Sequence, residues 1–138
     1  MRKYIDKYLG SYLREFCHSH YRFTDVRPFH TSREINSGRN TNNKLHYDGG
    51  PTGQFKAIIY LSDVSIYNGP FCVRPNKQLL PITAPSGTVI LFDNTSLSHT
   101  SLQIFDGTRD VLMLEFIPSL SVSSSPLEST PLNARQLL

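Results

Sequence analysis

The apolar residues change their period near residue 22, and that change limits the chain to one class of fold. Before it, Tyr4, Ile5, Tyr8, Leu9, Tyr12, Leu13 and Phe16 recur at helical spacing with Lys3, Lys7, Ser11 and Arg14 between them. Residues 2–17 therefore read as one amphipathic helix. After it, apolar residues alternate with polar ones or come in short runs, the pattern that a pleated strand buries. Candidate strands are 25–34, 44–48, 55–62, 71–74, 88–93, 98–104 and 109–117. Turn chemistry separates them at Ser37-Gly38, Gly49-Gly50-Pro51, Asn68-Gly69-Pro70, Pro85-Ser86-Gly87 and Asp106-Gly107. Strands at this spacing behind one helix imply a mostly β sandwich, barrel or jelly roll, the helix covering a sheet from outside.

Length and composition agree with a single unit. A chain of 138 residues is one domain. With 38% hydrophobic and 18% charged residues it has the material for one core and too little charge for intrinsic disorder. Residues 119–138 are rich in serine and lose all periodicity, so they read as a tail, expected to be mobile, behind a domain spanning 1–118.

Charge and cysteine content exclude several function classes. Residues 1–44 carry nine basic and four acidic side chains, and residues 45–138 carry five and seven. No run of Lys or Arg interleaved with aromatics exists, so a nucleic-acid partner is not expected. Cys17 and Cys72 are too few for a disulfide framework and belong to no CxxC pair. The N-terminal segment has charges every few positions, so it is neither a signal peptide nor a membrane span, and the default location is cytoplasmic. Asn94-Thr95-Ser96 matches a glycosylation acceptor, but without an export signal the match has no consequence.

The chemistry begins at His46-Tyr47-Asp48. Residues two apart on a strand point to one face, so His46 and Asp48 present an imidazole and a carboxylate together. His99, 53 residues after His46, follows the apolar run 88–93 and supplies a third donor. Two histidines and one carboxylate leave three adjacent positions of an octahedron open, the arrangement of non-haem Fe(II) oxygenases. Arg109 follows His99 by ten residues and opens a strand in which it shares a face with Val111 and Met113. An unpaired cation on an apolar face is costly, so Arg109 calls for a carboxylate. Singly, each residue also has a structural reading: a strand-surface pair for His46 and Asp48, a core histidine for His99, a bridge to Asp106 or Asp110 for Arg109.

Together, the HxD, the distal His and the Arg about ten residues beyond it resemble the Fe(II)- and 2-oxoglutarate-dependent oxygenase superfamily, closest to its phytanoyl-CoA dioxygenase-like branch. YLSDVSIYNGPFCVRPNKQ resembles that branch's stretch from a strand through an Asn-Gly-Pro turn to a Pro-Gly-Ser-His segment, and SGTVILFDNTSLSHTS resembles its segment leading to the distal His. The likeness covers residues 44–117. Asn76-Lys77 departs from it where relatives have Gly-Ser-His, and the chain is about half the usual length for the branch. Lid insertions are therefore expected to be missing and the pocket to be open.

The resemblance implies a double-stranded β-helix, the cupin-like jelly roll. It implies that His46, Asp48 and His99 hold Fe(II), that 2-oxoglutarate chelates the metal, and that Arg109 pairs with its 5-carboxylate. O2 as co-substrate then gives a dioxygenase that hydroxylates an unactivated C–H of a small molecule, releasing succinate and CO2. Relatives that halogenate have a small residue where Asp48 stands, so hydroxylation is favoured. A prolyl or other protein side-chain hydroxylase is the alternative, and a non-catalytic cupin-like binding protein is a third reading. Tyr60 is a candidate donor to the co-substrate carboxylate, and Arg39 and Asn43 are candidate substrate contacts. The oligomeric state and the substrate are open.

Overall fold

Strand β2 (Phe55–Tyr60) buries both of its faces, and the two sets of side chains belong to different cores. Phe55 and Ala57 join Ile5, Leu13, Leu114 and Phe116 in one cluster; Ile58 and Tyr60 join Val64, Phe71, Phe92 and Val111 in the other. A strand packed on both sides must lie between two layers. In the computed structural model, which describes residues 2–34 and 44–120, those layers are a helical pair outside and a second sheet inside.

The elements are α1 (Arg2–Tyr8), α2 (Gly10–Cys17), β1 (His20–Ser32), β2, β3 (Phe71–Val73), β4 (Leu80–Ile82), β5 (Val89–Asp93), β6 (His99–Ser101) and β7 (Thr108–Ser119). They form a four-stranded sheet ordered β1-β7-β2-β5 and a three-stranded sheet ordered β4-β3-β6. Every pair among the described strands is antiparallel. The result is a β-sandwich whose larger sheet is covered by helix, as the period change implied.

Several boundaries differ from the sequence reading. The expected single helix over 2–17 is two short ones, interrupted at Leu9. Gly10 is buried there, and a Cβ on it would lie 3.2 Å from the Tyr21 hydroxyl, so glycine permits the close approach of β1. The strand expected at 44–48 is reduced to an isolated bridge between His46 and His99. β1 starts at His20 rather than near residue 25, and β4, with proline at its centre, was not expected at all. Pro81 faces Cys72 across a pair at the sheet margin, where a missing N–H is tolerated. Arg39, Asn43 and the tail beyond residue 120 lie outside the described residues.

A bulge in β1 decides which residues face the inner core. Phe23 pairs with Phe116, but Asp25, not Thr24, pairs with Glu115. The extra residue shifts the alternation by one. Without it Asp25 and Arg27 would face the apolar layer of Phe55 and Leu114; with it they share the inner face with Glu115. Among the described residues no helix is long and apolar enough to cross a membrane.

Candidate metal centre

His46 and Asp48 sit on an extended segment held edge-on to β6. His46 N–H donates to the His99 carbonyl (3.0 Å) and His99 N–H to the His46 carbonyl (2.9 Å), so the two histidines are directly opposite neighbours. Their rings lie 4.5 Å apart between centroids. The sequence reading placed the HxD on a strand for its two-residue alternation, and the alternation survives although the strand does not. One ligand atom each from His46, Asp48 and His99 falls within 4.8 Å of the others, the one such cluster among the described residues.

Each donor is held in a form that suits a metal. Nδ1 of His46 donates to the Lys44 carbonyl (2.8 Å) and Nδ1 of His99 to that of Leu97 (2.9 Å), which leaves both Nε2 atoms as the free lone pairs. Those Nε2 atoms lie 3.5 Å from Asp48, His46 against Oδ1 and His99 against Oδ2. Burial between Phe71 and Phe92 pushes the His99 imidazole below its ordinary value, outweighing its backbone bond and Asp48, so it is neutral near pH 7. Burial pushes the Asp48 carboxyl up, but the hydrogen bond and charge of Lys56, with Asn94, outweigh it and hold it below its ordinary value.

Both shifts have the same sign for the metal-free protein. The unfolded chain takes up protons at His99 and Asp48 at higher pH than the folded chain does, so folding stability is present above the unfolded values and is lost on acidification. The loss starts near pH 6.5 for His99 and near 3.8 for Asp48. The thermal midpoint of the metal-free protein should therefore fall as pH drops from 7 to 5, and His99→Gln should flatten that slope. An unchanged slope in the variant would assign the acid sensitivity elsewhere.

Lys56 and Asn94 are functional neighbours that the sequence reading missed. Lys56 Nζ donates to Asp48 Oδ2 (2.6 Å) and lies 3.2 Å from Glu115 Oε1. Glu115 in turn accepts from Arg27 Nη2 (2.7 Å) and from Gln54 Nε2 (3.3 Å). Asn94 is fully buried; its Nδ2 donates to Asp48 Oδ2 (3.0 Å) and its carbonyl accepts from the Asp48 N–H (2.9 Å). The glycosylation match at Asn94 is thus a buried structural amide. The turn that presents it is closed by Asp93, whose Oδ1 accepts from the N–H groups of Thr95 (2.8 Å) and Ser96 (3.0 Å). A signal for Lys56 existed: it shares a strand face with Ile58 and Tyr60, and the argument applied to Arg109 applies to it equally.

Arg109 lies on the inner face of β7 with Val111 and Met113, as its alternation implied. It bridges neither Asp106 nor Asp110; Asp110 pairs with His30 instead (2.6 Å). Its Nη1 donates to the Gly69 carbonyl, and its Nε is buried with no hydrogen-bond partner. Burial pushes the guanidinium below its ordinary value, and the groups that counter this are Tyr60 and Cys72, neither of them a carboxylate. The Asn68-Gly69-Pro70 turn locates this contact. Gly69 takes φ +74°, where a Cβ would lie 2.7 Å from the Leu102 carbonyl, and Asn68 Nδ2 donates to the Thr108 carbonyl (3.0 Å) at the start of β7.

Tyr60 departs from its expected role. It is fully buried; its hydroxyl donates to the Ile82 carbonyl (2.8 Å) and accepts from the Phe71 N–H (3.2 Å). With both roles satisfied by backbone, it ties β2 to the smaller sheet.

No protein-family profile matches the sequence, and no curated protein matches it; the similarity is to solved structures. The chain is similar to HygX from Streptomyces hygroscopicus with iron bound, at 16% identity and a TM-score of 0.62, over 97% of this chain and 73% of that one. It is similar to HygX with nickel, 2-oxoglutarate and hygromycin B bound, at 17% identity and a TM-score of 0.57, over 97% of this chain and 70% of that one. It is also similar to SnoN, a non-haem α-ketoglutarate-dependent epimerase from nogalamycin biosynthesis, at 12% identity and a TM-score of 0.66, over 89% of this chain and 60% of that one. At these identities the shared property is the fold.

Proposed function

We propose that this chain is an Fe(II)- and 2-oxoglutarate-dependent dioxygenase acting on a C–H bond of a small molecule. The observation that carries the reading is the coincidence of two incomplete sites on one inner surface. The first is a three-donor cluster of two imidazoles with Nε2 free and one carboxylate, the donor set of non-haem iron centres. The second is a buried guanidinium with an orphaned Nε and, among the described residues, no carboxylate partner. A metal satisfies the first and a dicarboxylate the second, and 2-oxoglutarate is a metal chelator that carries a second carboxylate.

The strand order supports the same reading. The isolated bridge of His46 to His99 adds a fourth segment beside β6 at the edge of the smaller sheet, which fits the four-plus-four arrangement expected of a double-stranded β-helix. The chain's fold is similar to those of HygX, solved with iron and with 2-oxoglutarate, and of SnoN. Both of those names refer to small molecules, hygromycin B and nogalamycin, which supports a small-molecule substrate over a protein side chain.

His46, Asp48 and His99 would hold the metal. Bound there, the metal and 2-oxoglutarate supply the oxidising power of O2 at a substrate C–H, with succinate and CO2 released. This chain's own contribution is binding and orientation: the backbone carbonyls of Lys44 and Leu97 fix both imidazoles with Nε2 inward. Arg109 would orient the dicarboxylate by its distal end, where a guanidinium makes two parallel hydrogen bonds. Phe71 and Phe92 border His99 and keep water from that side.

Incubation of the Fe(II)-loaded protein with 2-oxoglutarate in air should yield succinate in proportion to the 2-oxoglutarate consumed. Addition of the true substrate should accelerate it, with a product heavier by one oxygen for hydroxylation and of unchanged mass for stereochemical inversion. No metal-dependent binding of 2-oxoglutarate would sink the assignment and leave a non-catalytic binding protein.

A further inference from the structure

We propose that Lys56 and Asn94 are positioning residues that reserve one oxygen of Asp48, so that the carboxylate ligates metal through Oδ1 alone. The inference rests on the oxygenase reading and goes beyond it. Oδ1 and Oδ2 of Asp48 each lie 3.5 Å from one imidazole Nε2, that of His46 and that of His99, but only Oδ2 also receives the Lys56 ammonium at 2.6 Å and the Asn94 amide at 3.0 Å. The two oxygens are chemically identical in the sequence and are made unequal by their neighbours.

Both holders are themselves held. Lys56, only 11% exposed at its side chain, is fixed on its other side by Glu115, whose carboxylate is fixed by Arg27 and Gln54. Arg27 is anchored by Asp25. Alternating charges thus run from the half-exposed Asp25 through Arg27, Glu115 and Lys56 to Asp48. Asn94 grips Asp48 twice, by side chain and by backbone. Its amide orientation follows from chemistry, since the reversed amide would set its oxygen against Oδ2. The amide's own oxygen, Oδ1 of Asn94, is left buried without a hydrogen-bond partner.

The consequence concerns the number of metal positions left open. A carboxylate free to rotate can ligate through both oxygens, and each extra bond takes a position that a bidentate co-substrate needs. With three protein donors, 2-oxoglutarate needs two positions and O2 one, which exhausts an octahedron. Locking Oδ2 keeps that count.

The test compares metal binding with co-substrate chelation, two readouts that do not depend on turnover. The metal-free protein is titrated with Fe(II) under anaerobic conditions and then with 2-oxoglutarate, following the visible charge-transfer band of the chelate. Lys56→Met and Asn94→Ala should each weaken 2-oxoglutarate chelation by about 10-fold more than they weaken Fe(II) binding, whose own loss is the roughly 10- to 100-fold that an outer-shell partner costs. In Lys56→Met the loss of a repelling charge offsets part of the Fe(II) loss, so the two affinities separate further there. Lys56→Met/Glu115→Gln keeps the net charge of the cluster and serves if the single variant fails to fold. A wild-type band with both variants unchanged in chelation overturns the clamp alone. Equal losses of metal and co-substrate affinity also overturn it, since they mark a merely structural role. A wild-type protein with no band overturns the oxygenase reading and this one with it.

Discussion

His99→Ala should abolish specific metal binding by the otherwise folded protein. Loss of an outer-shell partner costs about 10- to 100-fold in metal affinity, and the loss of one of three protein donors should exceed that range. His46 and Asp48 would remain, a pair that strand surfaces carry without any metal. The substitution leaves the local backbone in place, because His46 and His99 are joined through main-chain bonds of 3.0 and 2.9 Å. It does open a gap between Phe71 and Phe92, whose ring centroids lie 5.7 and 5.0 Å from that of His99. His99→Gln, close in volume, separates packing from ligation. Anaerobic calorimetric titration with Fe(II) reads the effect directly. Affinity within about threefold of wild type in both variants would show that the three residues form a hydrogen-bonded cluster with no metal role.

Arg109→Met should separate co-substrate binding from folding, with opposite signs. Removing one partner of a buried, hydrogen-bonded charge pair costs about 2–5 kcal/mol in binding, or roughly 30-fold and upward in the affinity for 2-oxoglutarate. Metal affinity should hardly move. The stability of the free protein, by contrast, should stay level or rise. A buried cation without a carboxylate is a cost to folding, and among the described residues Arg109 has one unsatisfied nitrogen and only the Gly69 carbonyl as a hydrogen-bond partner. Methionine fills similar space between Tyr60 and Cys72 without that cost. With metal already saturating, 2-oxoglutarate at a hundredfold excess over the wild-type Kd should raise the melting temperature of the wild type, by linkage of about 2.7 kcal/mol, and stabilise the variant by about 0.9 kcal/mol or less. A variant that is strongly destabilised in the free state, yet stabilised by 2-oxoglutarate as much as the wild type, would make Arg109 a structural residue.

How much of the site was legible depended on the distance over which each relation acts. The donor types at His46, Asp48 and His99 and their common orientation follow from a two-residue alternation, which nearest neighbours in the chain set for themselves. That alternation persists at 46–48 although only a single bridge forms there. The face of Arg109 followed likewise from Val111 and Met113, and the structure places the three on the inner side. The same reasoning applied to Lys56, Ile58 and Tyr60 would have flagged an interior lysine. Tyr60 shows the converse: residue type suggested a ligand contact, and two backbone groups had already taken its hydroxyl.

By itself the sequence determined that one helical segment covers a β-sandwich, which side chains share a face, and that two imidazoles, a carboxylate and a buried guanidinium are available. Only the tertiary structure decided who meets whom. Lys56 reaches Asp48 and Glu115, Arg27 reaches Glu115 across 88 positions, and Arg109 reaches Gly69 across 40. Such pairings depend on strand register, and in β1 the register turns on one extra residue between Phe23 and Asp25. A bulge inverts every side chain beyond it, and nothing in the local pattern announces it, because the two registers differ only in what the opposite strand presents. Antiparallel pairing to β7 selects the register that buries Val26 against Leu114 and sets Asp25 and Arg27 beside Glu115. The inequality of the two Asp48 oxygens, on which the geometry of the proposed metal centre depends, therefore exists only once the sheet has assembled.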